Sequence, residues 1–399
     1  MHGDTFEALL KVLWESTCEV PSKLASLRAR SSVMYLTSVQ VREILGFFKT
    51  SEDRADLFVM FNTRIVDRQN GKLWRVRFER DEEVRSLQER LGYASFYPYI
   101  QPENARFELD LSYHDQRLCL SMIRGLEIKE QGDRNLYSYS YDIGGRPVSI
   151  SAGVPYSWAR FESVPKEGVF RATYRCAPEH RKFDARKALA RTYGGLMEDV
   201  KESDVRWCTG LNDVPQDVVT LLVFLTGRYK DLEAAFRDID GPGGNGVLSL
   251  RELEDALARL GCRHFAAGSP EEEKERISNV FRYLDSAGSG SISIQAWQVL
   301  NQLWAELDLT ICELVQFFDR TFDDDLADAW EGLNEEGAGS LGEEEFVEAL
   351  EDLGYFGPVR VIYRVLCPPG NSAVTEADFM ELEKFKERME GAKLGGKAS

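Results

Sequence analysis

Apolar positions follow a helical period along the first part of the chain and a strand period further on. At helical spacing lie Phe6, Leu9, Leu10 and Leu13, and again Val41, Ile44, Leu45 and Phe48. Residues three and four apart share one face of a helix. The pattern therefore predicts a helical N-terminal domain over residues 1–94.

One helix start within this domain is marked by its polar residues. Ser51, followed by two acids, has the pattern of an N-cap, and the helix after it carries Leu57, Phe58, Phe61 and Ile65. The stretches LTSVQVREILGFF and SEDRADLFVMFNTRIVDRQN resemble a small helical domain of unknown function, over about residues 5–93. The resemblance implies a packing unit and no chemistry.

Between residues 95 and 200 the apolar period changes to two. The alternating apolar sets are Phe107, Leu109 and Leu111, and Phe170, Ala172, Tyr174 and Cys176. Alternation with this period is typical of half-buried strands, and Gly144-Gly145 marks a turn. We expect an antiparallel β-rich domain with one or two helices, and the run over 115–126 is the main candidate for a helix. It resembles no family.

Three tyrosines of this region, Tyr137, Tyr139 and Tyr141, have strand spacing and are predicted to share one face. A stripe of this kind is most often a sheet face, packed or half-exposed. A ligand-binding face is the alternative.

Four segments in the last 170 or so residues repeat one pattern of an aromatic residue, a turn, a single β-type apolar residue and an acidic helix start. The loops lie at about 240–252, 285–296, 334–345 and 367–378. An aromatic residue precedes the loop in each, at Phe236, Phe281, Trp330 and Tyr363. The β-type residues of the four loops are Leu248, Ile292, Leu341 and Val374.

This pattern resembles the EF-hand family over roughly residues 216–390. The family implies helix-loop-helix units in pairs, whose β-type residues pair in two-stranded ribbons. In this chain Leu248 would pair with Ile292 and Leu341 with Val374, which gives two paired lobes. The chain as a whole is then multidomain α+β, with an all-α C-terminal domain over 216–399 after a linker at 201–215.

Two long apolar stretches frame the lobes. Val218 to Asp238 is predicted to form one long first helix. Trp297 to Phe322 carries apolar residues at helical spacing and must join the two pairs. Because an apolar connector has to be buried, we expect the lobes to pack on each other or on the β-rich domain.

Calcium takes six to eight oxygen ligands, and EF-hand loops supply them from fixed positions. In the first loop these are Asp240, Asn245, the Val247 carbonyl and Glu252, provided that the glycines before Val247 absorb one extra residue. In the third loop they are Asn334, Glu336 and Glu345. The first and third loops are therefore the candidates for weak calcium binding.

The other two loops offer fewer ligands. Asp285 and Ser289 are candidates in the second, but Ala287 and Ala296 supply no oxygen there. The fourth has Cys367 at its first position. A degenerate loop kept for helix packing is the alternative for all four.

Negative charge is concentrated in the C-terminal region. From residue 231 onward there are 15 basic and 35 acidic side chains, whereas residues 1–230 are close to balanced. This excess favours protein partners with basic amphipathic helices and disfavours nucleic acid. The oligomeric state stays open.

Motifs of enzymes are missing from the sequence, which contains no GxSxG, GxxxxGK[ST] or HExxH. Cys176 and His180 lie four apart, but Pro178 between them disfavours a shared helical face. Seven scattered cysteines indicate a reducing compartment. No apolar run reaches the roughly 20 residues of a membrane helix, and the first residues do not have the pattern of a signal peptide.

Two functions are consistent with these features. The first is a non-catalytic calcium-ion-binding protein of the cytoplasm with weak or partial sites, which acts as a regulatory or structural protein-interaction module. The second is a constitutive scaffold or cytoskeletal assembly subunit whose loops bind no calcium.

Overall fold

The computed structural model describes residues 1–78, 81–130, 135–150, 153–176, 180–194, 199–207, 211, 214–265, 269–285, 288–322, 325–334, 337–368 and 371–387. The class is multidomain α+β, as predicted. The chain divides into two compact units. The first contains Met1–Phe6, Thr17–Leu45 and Thr50–Trp207, and the second contains Glu7–Ser16, Gly46–Lys49 and Cys208–Ser399. The predicted domain boundaries remain predictions.

Helices dominate the N-terminal part, as the sequence predicts. The helices up to residue 207 are α1 (Gly3–Glu15), α2 (Val20–Arg30), α3 (Ser38–Leu45), α4 (Ser51–Phe61), α5 (Lys72–Arg75), α6 (Asp81–Leu91), α7 (Tyr93–Phe96), α8 (His114–Lys129) and α9 (Phe183–Gly194). The cap of α4 is Thr50 and not Ser51, because the Thr50 side chain accepts a hydrogen bond from the Asp53 N–H at 3.1 Å. The predicted helix start is thus wrong by one residue.

The sheet of the first unit is antiparallel, as expected. Its strands are β1 (Arg106–Asp110), β2 (Leu136–Ile143), β3 (Arg146–Pro147) and β4 (Val169–Tyr174), in the order β1-β4-β2-β3. Gly144 and Gly145, both with positive φ, form the two-residue turn between β2 and β3.

The buried face of the sheet carries the alternating residues that the sequence indicates. Phe107 and Leu109 on β1 pair with Ala172 and Phe170 on β4, and all four are buried. They share one hydrophobic core with residues of α8, such as Leu120, so the predicted helix covers this face.

The prediction that Tyr137, Tyr139 and Tyr141 share a face is wrong. The pairing of β2 with β4 shifts register between Tyr137 and Ser140, and Ser138 has a φ of 50°. Tyr141 is buried and Tyr139 is exposed, because a bulge of this kind moves the following side chains to the other face.

The second unit is built from helices and two short ribbons. Its helices in the 208–399 range are α10 (Gln216–Arg228), α11 (Leu232–Asp240), α12 (Leu250–Arg259), α13 (Pro270–Leu284), α14 (Ile294–Trp297), α15 (Val299–Thr321), α16 (Leu326–Leu333), α17 (Glu343–Asp352), α18 (Val359–Leu366) and α19 (Glu376–Phe379). Its strands are β5 (Val247–Leu248), β6 (Ile292–Ser293), β7 (Ser340–Leu341) and β8 (Val374–Thr375).

The predicted single helix from Val218 to Asp238 is wrong, since the chain breaks between α10 and α11. Tyr229 is extended, and Asp231 caps α11 by accepting a hydrogen bond from the Ala234 N–H at 2.7 Å. A capping Asp stabilises a new helix start and offsets the loss of the continuous helix.

Both helix-loop-helix pairs belong to one hydrophobic core. Helix α15 lies between the pairs in sequence and buries, among others, Leu303, Ile311 and Phe318. Residues of the first pair, such as Leu248, and of the second, such as Phe379, belong to the same core. The expectation that the apolar connector is buried and that the pairs pack together is confirmed.

A short N-terminal segment belongs to this second unit. Trp14 packs edge-on against Phe317 of α15, with ring centroids 5.3 Å apart, and also contacts Phe47 at 6.3 Å. The guanidinium of Arg320 lies 5.9 Å from the Phe47 ring. The second unit is therefore discontinuous in sequence.

Candidate metal centre

Asp240 ends α11 and begins the first loop. Its Oδ2 accepts a hydrogen bond from the Gly246 N–H at 3.0 Å. Its Oδ1 is buried and has no hydrogen-bond partner among the described residues. A buried carboxylate oxygen without a donor is rare, because such an oxygen loses its hydration without replacement. A cation is one group that would satisfy it.

Glycines give the first loop its path around Asp240. Gly241, Gly243 and Gly246 have φ values of 79°, 90° and 80°, a region that glycine adopts readily. A Cβ added at Gly244 would lie 2.1–2.3 Å from the Asp240 carboxyl group. The absence of a side chain at this position thus leaves room beside the carboxylate, and the glycines accommodate the extra residue of the loop.

The other candidate ligands of the first loop bond to their own neighbours. Asn245 Oδ1 accepts from the Val247 N–H at 3.0 Å, and Val247 pairs with Ser293 in the first ribbon. Glu252 Oε2 accepts from the Ser249 N–H and the Ser249 hydroxyl, each at 2.8 Å. The four candidate metal ligands therefore lie on one loop, and the Glu252 carboxylate is hydrogen-bonded to Ser249.

The hydrogen bonds to Glu252 also affect its ionisation. The Ser249 N–H, and next its hydroxyl, lower the pKa of Glu252 below its usual value. The charged form is the one that binds a divalent cation, and a lowered pKa keeps the carboxylate charged at neutral pH. Glu252 is exposed, so its carboxylate is accessible.

The second loop closes around Asp285. Its Oδ1 accepts from the N–H and the hydroxyl of Ser289, at 2.9 and 3.0 Å, and its Oδ2 accepts from the Gly290 N–H at 2.7 Å. The structure thus brings Asp285 and Ser289 together as the sequence predicts. Both carboxylate oxygens of Asp285 have protein donors, so neither oxygen needs an ion as its partner.

The third loop holds Asn334 and Glu345 at its two ends. Asn334 Oδ1 accepts from the Ala338 N–H at 3.0 Å, and Glu345 Oε2 accepts from the Gly342 N–H at 2.7 Å. Glu336, the third candidate ligand, lies outside the described residues. The described part of this loop supplies one amide oxygen and one exposed carboxylate.

The fourth loop satisfies its acid internally. Asp378 Oδ2 accepts from the Thr375 N–H at 3.0 Å and from its hydroxyl at 2.6 Å. The thiol of Cys367, at the first loop position, donates to the Asn371 carbonyl at 3.4 Å. A neutral thiol is a poor substitute for a carboxylate as a calcium ligand.

The two predicted ribbons are both present. Leu248 pairs with Ile292, and Leu341 pairs with Val374. Over the described part of the chain, no cluster of three or more His, Cys, Asp or Glu side chains has the arrangement of a metal site. Two of the four candidate metal ligands of the first loop are an amide oxygen and a backbone carbonyl, so this loop has fewer than three such side chains.

Cys176, one half of the thiol-imidazole pair considered from the sequence, is buried. Burial raises the pKa of its thiol to about 12, so the nucleophilic thiolate is scarce at neutral pH. Residues 177–179, including Pro178, lie outside the described residues.

A model of a family described as a domain of unknown function (DUF4476) matches residues 4–90. This match confirms the resemblance of the N-terminal segment to a small helical domain of unknown function. The comparison with curated proteins gives no match. The family match does not reach the four loops, so their EF-hand resemblance remains a prediction.

No helix among the described residues is both long enough and apolar enough to cross a membrane.

A second polar cluster was not anticipated from the sequence. Arg68, Lys72, Trp74 and Arg75 line a cleft in the first unit. Their only sequence signal is the basic spacing in RQNGKLWR. Such basic spacing is common on solvated helices, so it does not indicate a site. The aromatic residues of the cleft, Phe96 and Tyr97, lie more than 20 positions further along the chain.

Proposed function

We propose that this chain is a non-catalytic calcium-ion-binding protein of EF-hand type with weak or partial sites. It acts as a regulatory or structural protein-interaction module. The first loop is the main site, where Asp240, Asn245, the Val247 carbonyl and Glu252 would hold the ion. Asn334, Glu336 and Glu345 would hold a second, weaker one.

The observation that carries this proposal is the buried, unpartnered Oδ1 of Asp240 beside the space at Gly244. In the second loop the equivalent acid, Asp285, has protein donors on both oxygens. The difference favours the first loop as the one in which a cation would add an interaction that the protein does not supply.

Weak affinity follows from the number of ligands. An intact loop supplies oxygens from six positions and ends in a bidentate Glu. Here the first loop has two carboxylates, one amide and one carbonyl, and Glu252 must leave Ser249 to reach an ion. Exchange of existing hydrogen bonds for ion contacts lowers the net free energy of binding.

The alternative is a constitutive scaffold or cytoskeletal assembly subunit whose loops bind no calcium. The buried connector α15 favours it, because both pairs belong to one core and a helix rearrangement in one pair would disturb packing in the other. Sensors of the EF-hand type expose an apolar groove when they open. A shared core opposes that opening.

Charge favours protein partners in either case. The 35 acidic and 15 basic side chains from residue 231 onward give a negative potential that would attract basic amphipathic helices. Cys119, Cys176 and Cys262 are buried and form no disulfide, and a cytoplasmic, reducing setting would account for this.

The test is a calorimetric calcium titration of the full chain, stripped of metal and held at millimolar magnesium. One or two saturable sites would support the calcium-binding proposal. Full-length protein is required because Trp14 and Phe47 belong to the second unit. No heat up to millimolar calcium, with an unchanged melting curve, would reject calcium binding and favour the scaffold.

A further inference from the structure

A half-open cleft of about 80 Å³ lies within the first unit. One side of the cleft is formed by four residues. Arg68 lies on the 3₁₀ turn Arg68–Asn70, and Lys72, Trp74 and Arg75 lie on α5. Phe96 and Tyr97 contribute to the aromatic side. The cleft is therefore bordered by cations and aromatic rings.

None of the described residues that line this cleft is Asp or Glu. Arg75 donates to the Phe96 carbonyl, and its guanidinium lies 4.4 Å from the centroid of the Phe96 ring. Arg68 donates to Asn62 Oδ1 at 3.4 Å, and Lys72 donates to the Glu103 carbonyl at 3.1 Å. Arg68 and Arg75 thus contact neutral oxygens and a ring face. The Glu103 carboxylate is paired elsewhere, with Arg181 and Arg186.

Burial shifts the pKa values of two of these cations, Arg68 and Arg75. Desolvation lowers the pKa of Arg75 to about 10, and it also lowers the pKa of Arg68. At Arg186 burial acts in the same direction, but Glu103 and Glu130 outweigh it and raise the pKa. Arg68 and Arg75 therefore have no carboxylate partner among the residues that the structure describes. Such charges are unfavourable unless an anion is near.

Two neutral donors in the wall also have no partner. The Trp74 indole nitrogen and the Tyr97 hydroxyl are buried, and neither makes a hydrogen bond with the described residues. Trp74 is 7% exposed and Tyr97 is 5% exposed. Burial raises the pKa of Tyr97 well above its usual value, so the hydroxyl keeps its proton and can donate. Buried donors without acceptors indicate a missing acceptor.

We propose that this cleft binds a small oxyanion, a phosphate or carboxylate group, through Arg68, Lys72, Arg75 and the donors of Trp74 and Tyr97. An oxyanion carries only acceptors, and these match the Trp74 N–H, the Tyr97 O–H and the Arg68 and Arg75 cations. A volume of about 80 Å³ holds a few water-sized groups, which fits one such anion.

The test is a calorimetric titration of the full chain with inorganic phosphate and, separately, with acetate. Both titrations are run at constant ionic strength with chloride as the balancing anion, since screening by salt would otherwise change during the titration. We expect saturable binding of one anion per chain. Binding of phosphate alone identifies a phosphoryl group as the ligand chemistry, and binding of acetate alone identifies a carboxylate.

Arg68→Gln and Trp74→Phe should each weaken binding, Arg68→Gln about ten-fold or more because it removes a charge-assisted donor. Trp74→Phe keeps an aromatic ring and removes the N–H, so it tests the donor with little change of packing. Arg64→Gln is the matched control, since Arg64 bonds to the Ser32 carbonyl and stacks on Tyr35 away from the cleft. Absence of binding to wild type at tens of millimolar of either anion, or equal binding by folded Arg68→Gln and Trp74→Phe, would overturn the proposal.

Discussion

The indole N–H of Trp297 donates a hydrogen bond of 2.8 Å to the backbone carbonyl of Leu232. Trp297 is fully buried. The bond joins α14 to α11, and so connects the two helix-loop-helix units of the first pair. Trp297→Phe would remove the donor of this buried hydrogen bond and part of the ring that packs around it. We expect a loss of about 1–3 kcal/mol in the free energy of unfolding, measured by urea denaturation.

Trp330→Phe serves as the comparison for this variant. Trp330 is buried in the second pair and packs through its ring on Phe379, with centroids 5.4 Å apart. Its replacement removes ring area, so the loss should be smaller. Equal losses in the two variants would show that the bond to Leu232 contributes nothing beyond packing.

The double replacement Glu252→Gln with Glu345→Gln should abolish calcium binding without unfolding the protein. Both side chains are exposed, and glutamine keeps the oxygen that accepts from Ser249 or Gly342. Only the charges that an ion needs are lost. Calorimetry measures binding, and circular dichroism checks the fold. Binding at the wild-type stoichiometry would contradict the loop assignment.

Asp240→Asn separates ion binding from stability in the same loop. The amide oxygen can still accept from Gly246, while the uncompensated charge is removed. We expect the metal-free variant to be at least as stable as wild type and to gain no stability from calcium, whereas wild type gains it by mass action. Thermal unfolding with and without a chelator measures both. A destabilised metal-free variant would contradict the role given to the unpartnered Oδ1.

Ser249→Ala should raise the pKa of Glu252 toward its usual value near 4.5, because it removes the hydroxyl donor and leaves the backbone N–H. A depressed pKa stabilises the fold above the unfolded-state value. That contribution is lost as the pH falls through the folded-state pKa. Carboxyl NMR titration measures the shift, and Ser291→Ala is the control. An unchanged pKa of Glu252 in Ser249→Ala would show that the Ser249 hydroxyl does not lower this pKa.

The pair of Arg186 and Glu130 is fully buried in the first unit. Burial alone would raise the pKa of Glu130, but the hydrogen bonds and charge of Arg186 lower it, as do the hydrogen bonds from the Lys182 N–H and the Tyr174 hydroxyl. Arg186→Met should destabilise the protein by about 3–5 kcal/mol, since it leaves a buried charge unpaired. Urea unfolding checks this.

Arg171→Met is the matched control for that variant. Arg171 also pairs with two carboxylates, those of Glu108 and Asp142, but its side chain is 42% exposed. A surface pair contributes about 0–1 kcal/mol. If the two replacements cost the same, burial would not be the determining factor.

The sequence predicts local features of this fold better than distant ones. The pairing of Leu248 with Ile292 follows from spacing within each loop and is present. The bulge at Ser138 is not predictable in this way, because serine carries no signal for a positive φ. The contact of Trp14 with Phe317 joins residues some 300 positions apart, and hydrophobic periodicity gives no partner for either ring.

The candidate sites show the same limit. Asp240 and Glu252 could be chosen from loop positions, but the hydrogen bonds that hold Glu252 on Ser249 depend on three-dimensional geometry. The cleft at Trp74 forms where α5 lies close to Phe96 and Tyr97, which are about 20 positions further along the chain. The sequence of either segment alone therefore does not predict the cleft.

Glu7–Ser16 and α15 belong to the same unit but are synthesised at different times. Trp14 leaves the ribosome some 300 residues before Phe317. At about 5–20 residues per second, the interval is about 15–60 s. During that time the apolar face around Trp14 has no partner from α15. Newly made chains should therefore be recognised by chaperones at α1, and the second unit can complete its fold only after α15 has been synthesised.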